Sequence, residues 1–219
     1  MNSELSLLLQ SLPFLVKGAF VTIQIALVSI AVGLCGGILI GILNCRKLRF
    51  EPLAFLLNSF VWMVRGTPLF IQVLIAYYAL PEILGISLTP FTAGVIALGV
   101  NSMAYISEIV RGGIDAILVG QWEAAYVIGL NSWNTLKDVI LPQMFRITLP
   151  SLTNELTALI KETSILMVIG VAELTKISKD IVARELDPIT LYLATAVLYL
   201  VMTSCLSLLA RSKQKKWHI

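Results

Sequence analysis

Polar and apolar positions come in long blocks along this chain. Three runs carry no charged residue: Gly18–Cys45 over 28 positions, Ile83–Ser107 over 25 and Pro188–Ala210 over 23. A helix needs ~20 mostly apolar residues to cross a ~30 Å hydrocarbon layer, so each run predicts a membrane-spanning helix. Two further blocks are apolar but interrupted: Pro52–Pro81 holds Arg65, and Thr148–Ala172 holds Glu155, Lys161 and Glu162. Each is long enough to cross; the alternative is a re-entrant or surface segment. Counting both as spans predicts an all-α membrane protein with five transmembrane helices. They cover approximately 15–45, 53–80, 86–112, 147–171 and 188–210 of a single domain, 1–219, with a polar loop at 113–146. Glu173–Asp187 alternates acids and bases and predicts a short solvated helix, and Glu4–Leu12 predicts a short amphipathic helix on the membrane surface before the first span.

Composition agrees with this reading. The 219 residues are 58% hydrophobic and only 13% charged, about half the charged share usual for soluble domains. With a mean hydropathy of +0.89, the chain has too little charge to cover a water-facing surface, which excludes a soluble enzyme, a disordered tail and a secreted disulfide scaffold. The net charge of +3 matters through its placement. Ten Lys and Arg lie on one side of the five spans (Arg46, Lys47, Arg49, Arg111, Lys137, Arg146, Arg211, Lys213, Lys215, Lys216) and four on the other (Lys17, Lys176, Lys179, Arg184). Cytoplasmic loops carry the basic excess, so the N-terminus is expected outside and the C-terminus in the cytoplasm. The start of the chain up to Pro13 has no basic residue, unlike a secretory signal. Cys35, Cys45 and Cys205 sit in or beside apolar runs as small fillers, and His218, the single histidine, supports neither a metal site nor a catalytic triad.

Charge inside a bilayer is costly, so intramembrane polar residues face a cavity or a partner. Arg65 lies 12 residues beyond Leu53 and Asn101 the same distance beyond Thr89, ~18 Å at 1.5 Å per residue and near mid-depth. Glu162, 14 residues beyond Thr148, is expected at similar depth. Glu155 precedes Glu162 by seven residues and Glu108 follows Asn101 by seven, so each pair shares a helix face. Pro68, close behind Arg65 and Gly66, removes a helix hydrogen bond and predicts a broken helix at the midplane. A broken helix beside a charge can form a substrate site. Arg65 has the planar fork that suits a carboxylate, and Glu155 and Glu162 suit an ammonium or guanidinium. Together they fit a zwitterionic amino acid, including one with a cationic side chain. The alternative is structural: Arg65 pairs with Glu155 or Glu162 to tie two helices, and Lys161 neutralises a neighbouring acid.

The polar segment from Gln121 to Gln143 predicts two short helices, with Gly129 stopping the first, Asn131 or Ser132 capping the second and Pro142 ending it. Ala124 and Ala125 form a small-residue patch that another protein can approach closely. The spacing of Glu123-Ala124-Ala125, Gly129 and Val139 followed by Leu141-Pro142 resembles the EAA loop of bacterial ABC-importer permeases, with Val139 where Ile is commoner. Arg65-Gly66-Thr67-Pro68, Asn154-Glu155 and Lys161-Glu162-Thr163-Ser164 resemble the polar amino-acid branch of that family.

The resemblance covers nearly the whole chain. It implies a transmembrane permease subunit of an amino-acid importer in the bacterial inner membrane. It implies partners: a second permease subunit, for which a second copy of this chain is plausible, two ATP-binding cassette subunits that receive the coupling helices, and an extracytoplasmic substrate-binding protein. Arg65, Asn101, Glu108, Glu155 and Glu162 become candidate substrate-binding residues, and Glu123, Ala124, Ala125, Gly129, Leu141 and Pro142 candidate ATPase-coupling residues. The acid after Asn154 is the version the branch implies for arginine, lysine or histidine; another polar amino acid such as glutamine is the alternative. The chain lacks a phosphate-binding loop, since Val100 follows the spaced Gly94 and Gly99 where Lys is required, and those glycines are expected to pack helices. No nucleophile has a base nearby, so the expectation is a transport subunit, not an enzyme, needing no cofactor or metal. Two other classes remain open on the residues alone: an ion-coupled carrier or channel without an ATPase, and a membrane scaffold.

Overall fold

The computed structural model describes residues 2–216, with side chains over 4–212. His218 and Lys213, Lys215 and Lys216 of the basic tail therefore lie outside the residues whose side chains are described. The described chain is built from helices: α1 (Asn2–Leu43), α2 (Glu51–Gly66), α3 (Leu69–Leu74), α4 (Leu80–Leu84), α5 (Pro90–Asp115), α6 (Val119–Val127), α7 (Ser132–Asn134), α8 (Leu141–Glu162), α9 (Leu174–Glu185) and α10 (Pro188–Lys216). A π-helical turn, Ile75–Ala79, joins α3 to α4; another, Thr135–Ile140, joins α7 to α8; and a 3-10 turn, Thr163–Ile169, follows α8.

Among the described residues, three helices are long and apolar enough to cross a membrane: α1, α5 and α10. The pair Glu51–Gly66 and Leu69–Leu84 passes the same test together but bends by 103° at its break. The bend is the break expected at Pro68, and it leaves either a broken span or a re-entrant loop. α8 does not pass by composition, because Arg146, Glu155, Lys161 and Glu162 interrupt it.

α5 is the centre of the fold. Of its most apolar stretch 67% is buried, against 6% for α10, which the rest of the chain leaves largely uncovered. Its start is set locally: the Thr89 hydroxyl accepts from the Thr92 amide and Pro90 occupies the first turn. α1 lies along α5 at a separation that only glycine permits. A Cβ on Gly37 would come within 2.8 Å of the Met103 carbonyl, and one on Gly41 within 2.7 Å of the Ser107 carbonyl. Gly94 and Gly99 do pack helices: a Cβ would meet Leu166 at 2.6 Å and Val32 at 2.9 Å respectively.

Three local expectations are corrected. Glu4–Leu12 is no separate surface helix, since α1 runs unbroken through it with Pro13 inside. Pro142 ends nothing: it follows the widened turn at Thr135–Ile140, which absorbs the missing N–H and carries α7 into α8. α9 is not solvated all round. Leu174, Ser178 and Ile181 are buried, and Glu173, 0% exposed, caps its first turn by accepting from the Thr175 and Lys176 amides and the Tyr199 hydroxyl. Only the outer face carries the alternating charges, with Lys176 and Asp180 paired across one turn.

Candidate functional site

The site begins with a missing hydrogen bond. In a continuing helix the Val64 carbonyl would accept from the amide four residues on, but that residue is Pro68, which has none. The chain leaves the helix at Thr67 (φ −114°, ψ 145°) and restarts at Leu69. Thr67 Oγ1 donates back to the Met63 carbonyl at 3.0 Å. The Gln72 side chain folds across the elbow and donates through Nε2 to the Val64 carbonyl at 2.7 Å and the Thr67 carbonyl at 3.1 Å. Its Oε1 accepts from Asn101 Nδ2 at 3.0 Å, tying the elbow to the middle of α5.

The next residue of α5 is turned ~100° around the helix. Ser102 Oγ donates to Glu155 Oε1 on α8 at 2.8 Å. Asn101 and Glu155 are therefore level with each other along α5. The guanidinium of Arg65 is not level with them. It lies 5.1 Å from the centre of the Tyr105 ring and 3.4 Å from Glu108 Oε2, four to seven residues beyond Asn101, or ~6–10 Å along the helix. The expected common depth of Arg65, Asn101 and Glu162 is thus corrected, because the Arg65 side chain reaches along α5 instead of across to α8.

The helix tie of the structural alternative is corrected with it. Arg65 pairs with neither Glu155 nor Glu162; Lys161 is exposed and makes no ion pair among the described residues, although its charge acts on the neighbouring Glu162. Glu108 instead holds two cations, since Arg111 binds both of its carboxylate oxygens at 3.0 Å and 2.9 Å. The alternation continues down α5: Arg111 lies 3.6 Å from Asp115, and Asp115 lies 3.8 Å from Arg46 after α1. Among the described residues neither Glu155 nor Glu162 has a cationic side chain within ion-pairing distance. An engaged cation thus sits at one level of α5, while Glu155 and Glu162, half-buried and two turns apart on α8, make no ion pair among the described residues.

Gln72, Ser102, Tyr105 and Arg111 escaped the sequence reading. Gln72 was discoverable, because a proline that orphans a carbonyl calls for a nearby donor. Ser102 carried no signal, since a serine in a span usually bonds its own helix.

At the far end of α5, α6 and α7 form the expected helix pair. Gly129 takes a left-handed φ of 83° after α6, and the Asn131 side chain caps α7 by accepting from the Asn134 amide. Trp122 and Ala125 are buried at 2% and 3% exposure. Glu123, Ala124, Gly129 and Pro142 face out, and Leu141 is half-buried. The small-residue patch is thus split, with Ala125 packing inward and Ala124 available. Leu118, Val127, Ile128 and Trp133 surround it with exposed apolar surface.

A broken apolar helix beside a central span, ionisable groups between them and a bare helix pair at one end define a multi-pass membrane transport subunit. The model of the family described as binding-protein-dependent transport system inner membrane component matches residues 33–218. The chain belongs to this family. It is 34% identical to the arginine transport system permease protein ArtQ of Bacillus subtilis (strain 168) over 99% of this chain and 98% of that one. It is 37% identical to the glutamine transport system permease protein GlnP of Escherichia coli (strain K12) over 100% of both. A crystal structure described as an amino acid ABC transporter with histidines superposes with a TM-score of 0.87 at 32% identity, covering 95% of this chain and 96% of that one. The protein is an amino-acid ABC transporter permease, a transport component and not a catalytic one, and the ion-coupled carrier and the scaffold are set aside.

Proposed function

We propose that this chain lines the translocation pathway of an ATP-driven importer for an amino acid with a cationic side chain: arginine, lysine or histidine. The observation that carries the reading is the pair Glu155 and Glu162, half-buried on one face of α8 and in no ion pair among the described residues. Uncompensated carboxylates are costly in a span, and a cationic ligand offsets that cost. Arg65 is the candidate for the substrate carboxylate, because its bond to Glu108 is long and Arg111 can hold Glu108 alone. Arginine transport by a relative matched along its whole length supports the same class. Glutamine is the competing substrate, favoured by the equally complete match to a glutamine permease.

In this reading the five spans cross a bacterial inner membrane with the N-terminus outside. The functional unit holds two permease subunits, both copies of this chain, two ATP-binding cassette subunits and an extracytoplasmic binding protein. The ATPases grip α6 and α7 at Glu123, Ala124 and the surrounding apolar surface; hydrolysis occurs in them, and the moving helix pair alternates access to the site. The test is uptake by the reconstituted complex. Glu155→Gln is expected to lower arginine, lysine or histidine uptake by roughly fivefold to a hundredfold, the equivalent of losing a charge-assisted bond, while sparing glutamine. An unchanged preference would remove the cationic substrate.

A further inference from the structure

The elbow at Pro68 dictates which way round the Asn101 amide stands. Gln72 faces three acceptors at the elbow: the Val64 carbonyl at 2.7 Å, the Thr67 carbonyl at 3.1 Å and Thr67 Oγ1 at 3.0 Å. Thr67 Oγ1 accepts there because its own proton goes to the Met63 carbonyl. Carbonyl oxygens only accept, so the Gln72 amide must turn its nitrogen to them and its oxygen away. That oxygen meets Asn101 at 3.0 Å, so Asn101 must present its nitrogen. A flipped Asn101 would set two oxygens against each other, and a flipped Gln72 would turn its oxygen toward the Val64 and Thr67 carbonyls, leaving the Val64 carbonyl only the longer contact from Thr67 Oγ1 at 3.4 Å. Hydrogen-bond polarity therefore favours this one orientation.

The consequence falls on Asn101 Oδ1. Asn101 is 5% exposed. No described residue donates to its Oδ1, yet this oxygen is not among the buried polar atoms left without a partner, so it opens onto accessible space. One residue on, Ser102 holds Glu155. We infer that Gln72 is a positioning residue for the substrate site: by filling the carbonyl that Pro68 orphans, it locks Asn101 with its nitrogen inward and offers Oδ1 as an acceptor to an N–H of the bound amino acid. Gln72 does not touch the substrate. Asn101 does, at the level of Glu155, so an acceptor and a carboxylate meet the same nitrogen-rich end of the ligand. This inference rests on the pathway reading above and adds the polarity of one of its groups.

The experiment is a double-mutant cycle on the complete permease–ATPase complex in detergent, with binding of radiolabelled arginine and glutamine as the readout. Gln72→Met keeps the length of the side chain but has no amide. It is expected to weaken binding about tenfold, the value of one well-placed hydrogen bond to a charged group. The same change in an Asn101→Ala background is expected to cost nothing further, because the group it positions is gone. Equal losses in both backgrounds would mean that Gln72 only shapes the elbow, and no loss in either would also overturn the inference. Should Gln72→Met prevent assembly, Thr67→Ala removes one acceptor around Nε2 and replaces it in the cycle, with a smaller loss, about threefold, that again vanishes beside Asn101→Ala. Glu155→Gln serves as the arm for the parent reading. Arginine binding that ignores Glu155→Gln sinks the cationic pathway itself, whereas binding that falls with Glu155→Gln but not with Gln72→Met sinks only the positioning role.

Discussion

Arg65 Nη1 lies 3.4 Å from Glu108 Oε2, an oxygen that Arg111 already holds at 2.9 Å. The two cations on one carboxylate are unequal. Arg111 makes two short bonds from the same helix, while Arg65 makes one long bond from across a broken helix and rests partly on Tyr105. Arg65 is the one that can leave.

Removing either member of that contact therefore has different consequences. Glu108→Gln strands Arg65, leaves Arg111 only its longer contact with Asp115 and is expected to destabilise the complex by about 1–3 kcal/mol. Arg65→Gln leaves Glu108 with Arg111 and is expected to change thermal stability little while raising the transport KM. Thermal midpoints beside uptake kinetics check both. Equal loss of stability in the two variants would show Arg65 to be a structural tie.

The approach of α1 to α5 depends on glycine. Gly41→Val places a side chain 2.7 Å from the Ser107 carbonyl and against Val110, and overpacking of this kind costs about 1–3 kcal/mol. Gly112 in α5 has nothing within 4 Å of an added Cβ, so Gly112→Ala is expected to be neutral or to stabilise by about 0.5–1 kcal/mol. The unfolding midpoints of the purified variants decide the matter.

The two alanines of the exposed helix pair separate folding from coupling. Ala125, 3% exposed, lies on the buried face of α6, and Ala125→Leu is expected to lower stability. Ala124 faces out. A large residue there, or Glu123→Lys, is expected to leave the permease folded but to abolish the stimulation of ATP hydrolysis by substrate. Normal stimulated hydrolysis in those variants would contradict docking at α6.

Glu173 gives α9 a pH dependence. Burial pushes its carboxyl above the ordinary carboxylate range, against the pull of the Thr175 and Lys176 amides and the Tyr199 hydroxyl. A folded-state pKa raised above the unfolded one contributes stability below the ordinary range, and that contribution is lost as pH rises through the raised value. The thermal midpoint of Glu173→Gln is therefore expected to gain on the native protein as pH rises from acid toward neutral. A constant difference between the two would rule out this linkage.

Much of the architecture was legible because it follows from solvent. Gly18–Cys45, Ile83–Ser107 and Pro188–Ala210 have no charge to show to water, and most of each falls in α1, α5 and α10, although Asn44 and Cys45 lie past the end of α1 and 83–89 precedes α5. The break at Pro68, the stop at Gly129 and the cap at Asn131 follow from one residue each, through an absent N–H, an absent Cβ and a short side-chain oxygen. The failures have a shared cause. Glu4–Leu12 and Pro142 were read as boundaries, but α1 and α8 continue through them because packing and a π turn absorb what the local pattern would have interrupted.

The candidate site was legible as a set of residues and not as a set of pairs. Counting residues along each span places Arg65 beside Asn101, yet the guanidinium extends along α5 to Tyr105 and Glu108.

By itself the sequence determined that this protein lives in lipid, that α2 breaks before Leu69, and that charge is retained where charge is costly, since each of these depends on the chemistry of one stretch of chain. Only the tertiary structure decided that Arg65 meets Glu108, that Glu155 rests on Ser102 without a cation, and that Gln72 turns Asn101. Those outcomes depend on the rotation and closeness of helices far apart in the chain, which are set by where glycine lets α1 settle onto α5 and by which face of α5 then remains for α2, α3 and α8.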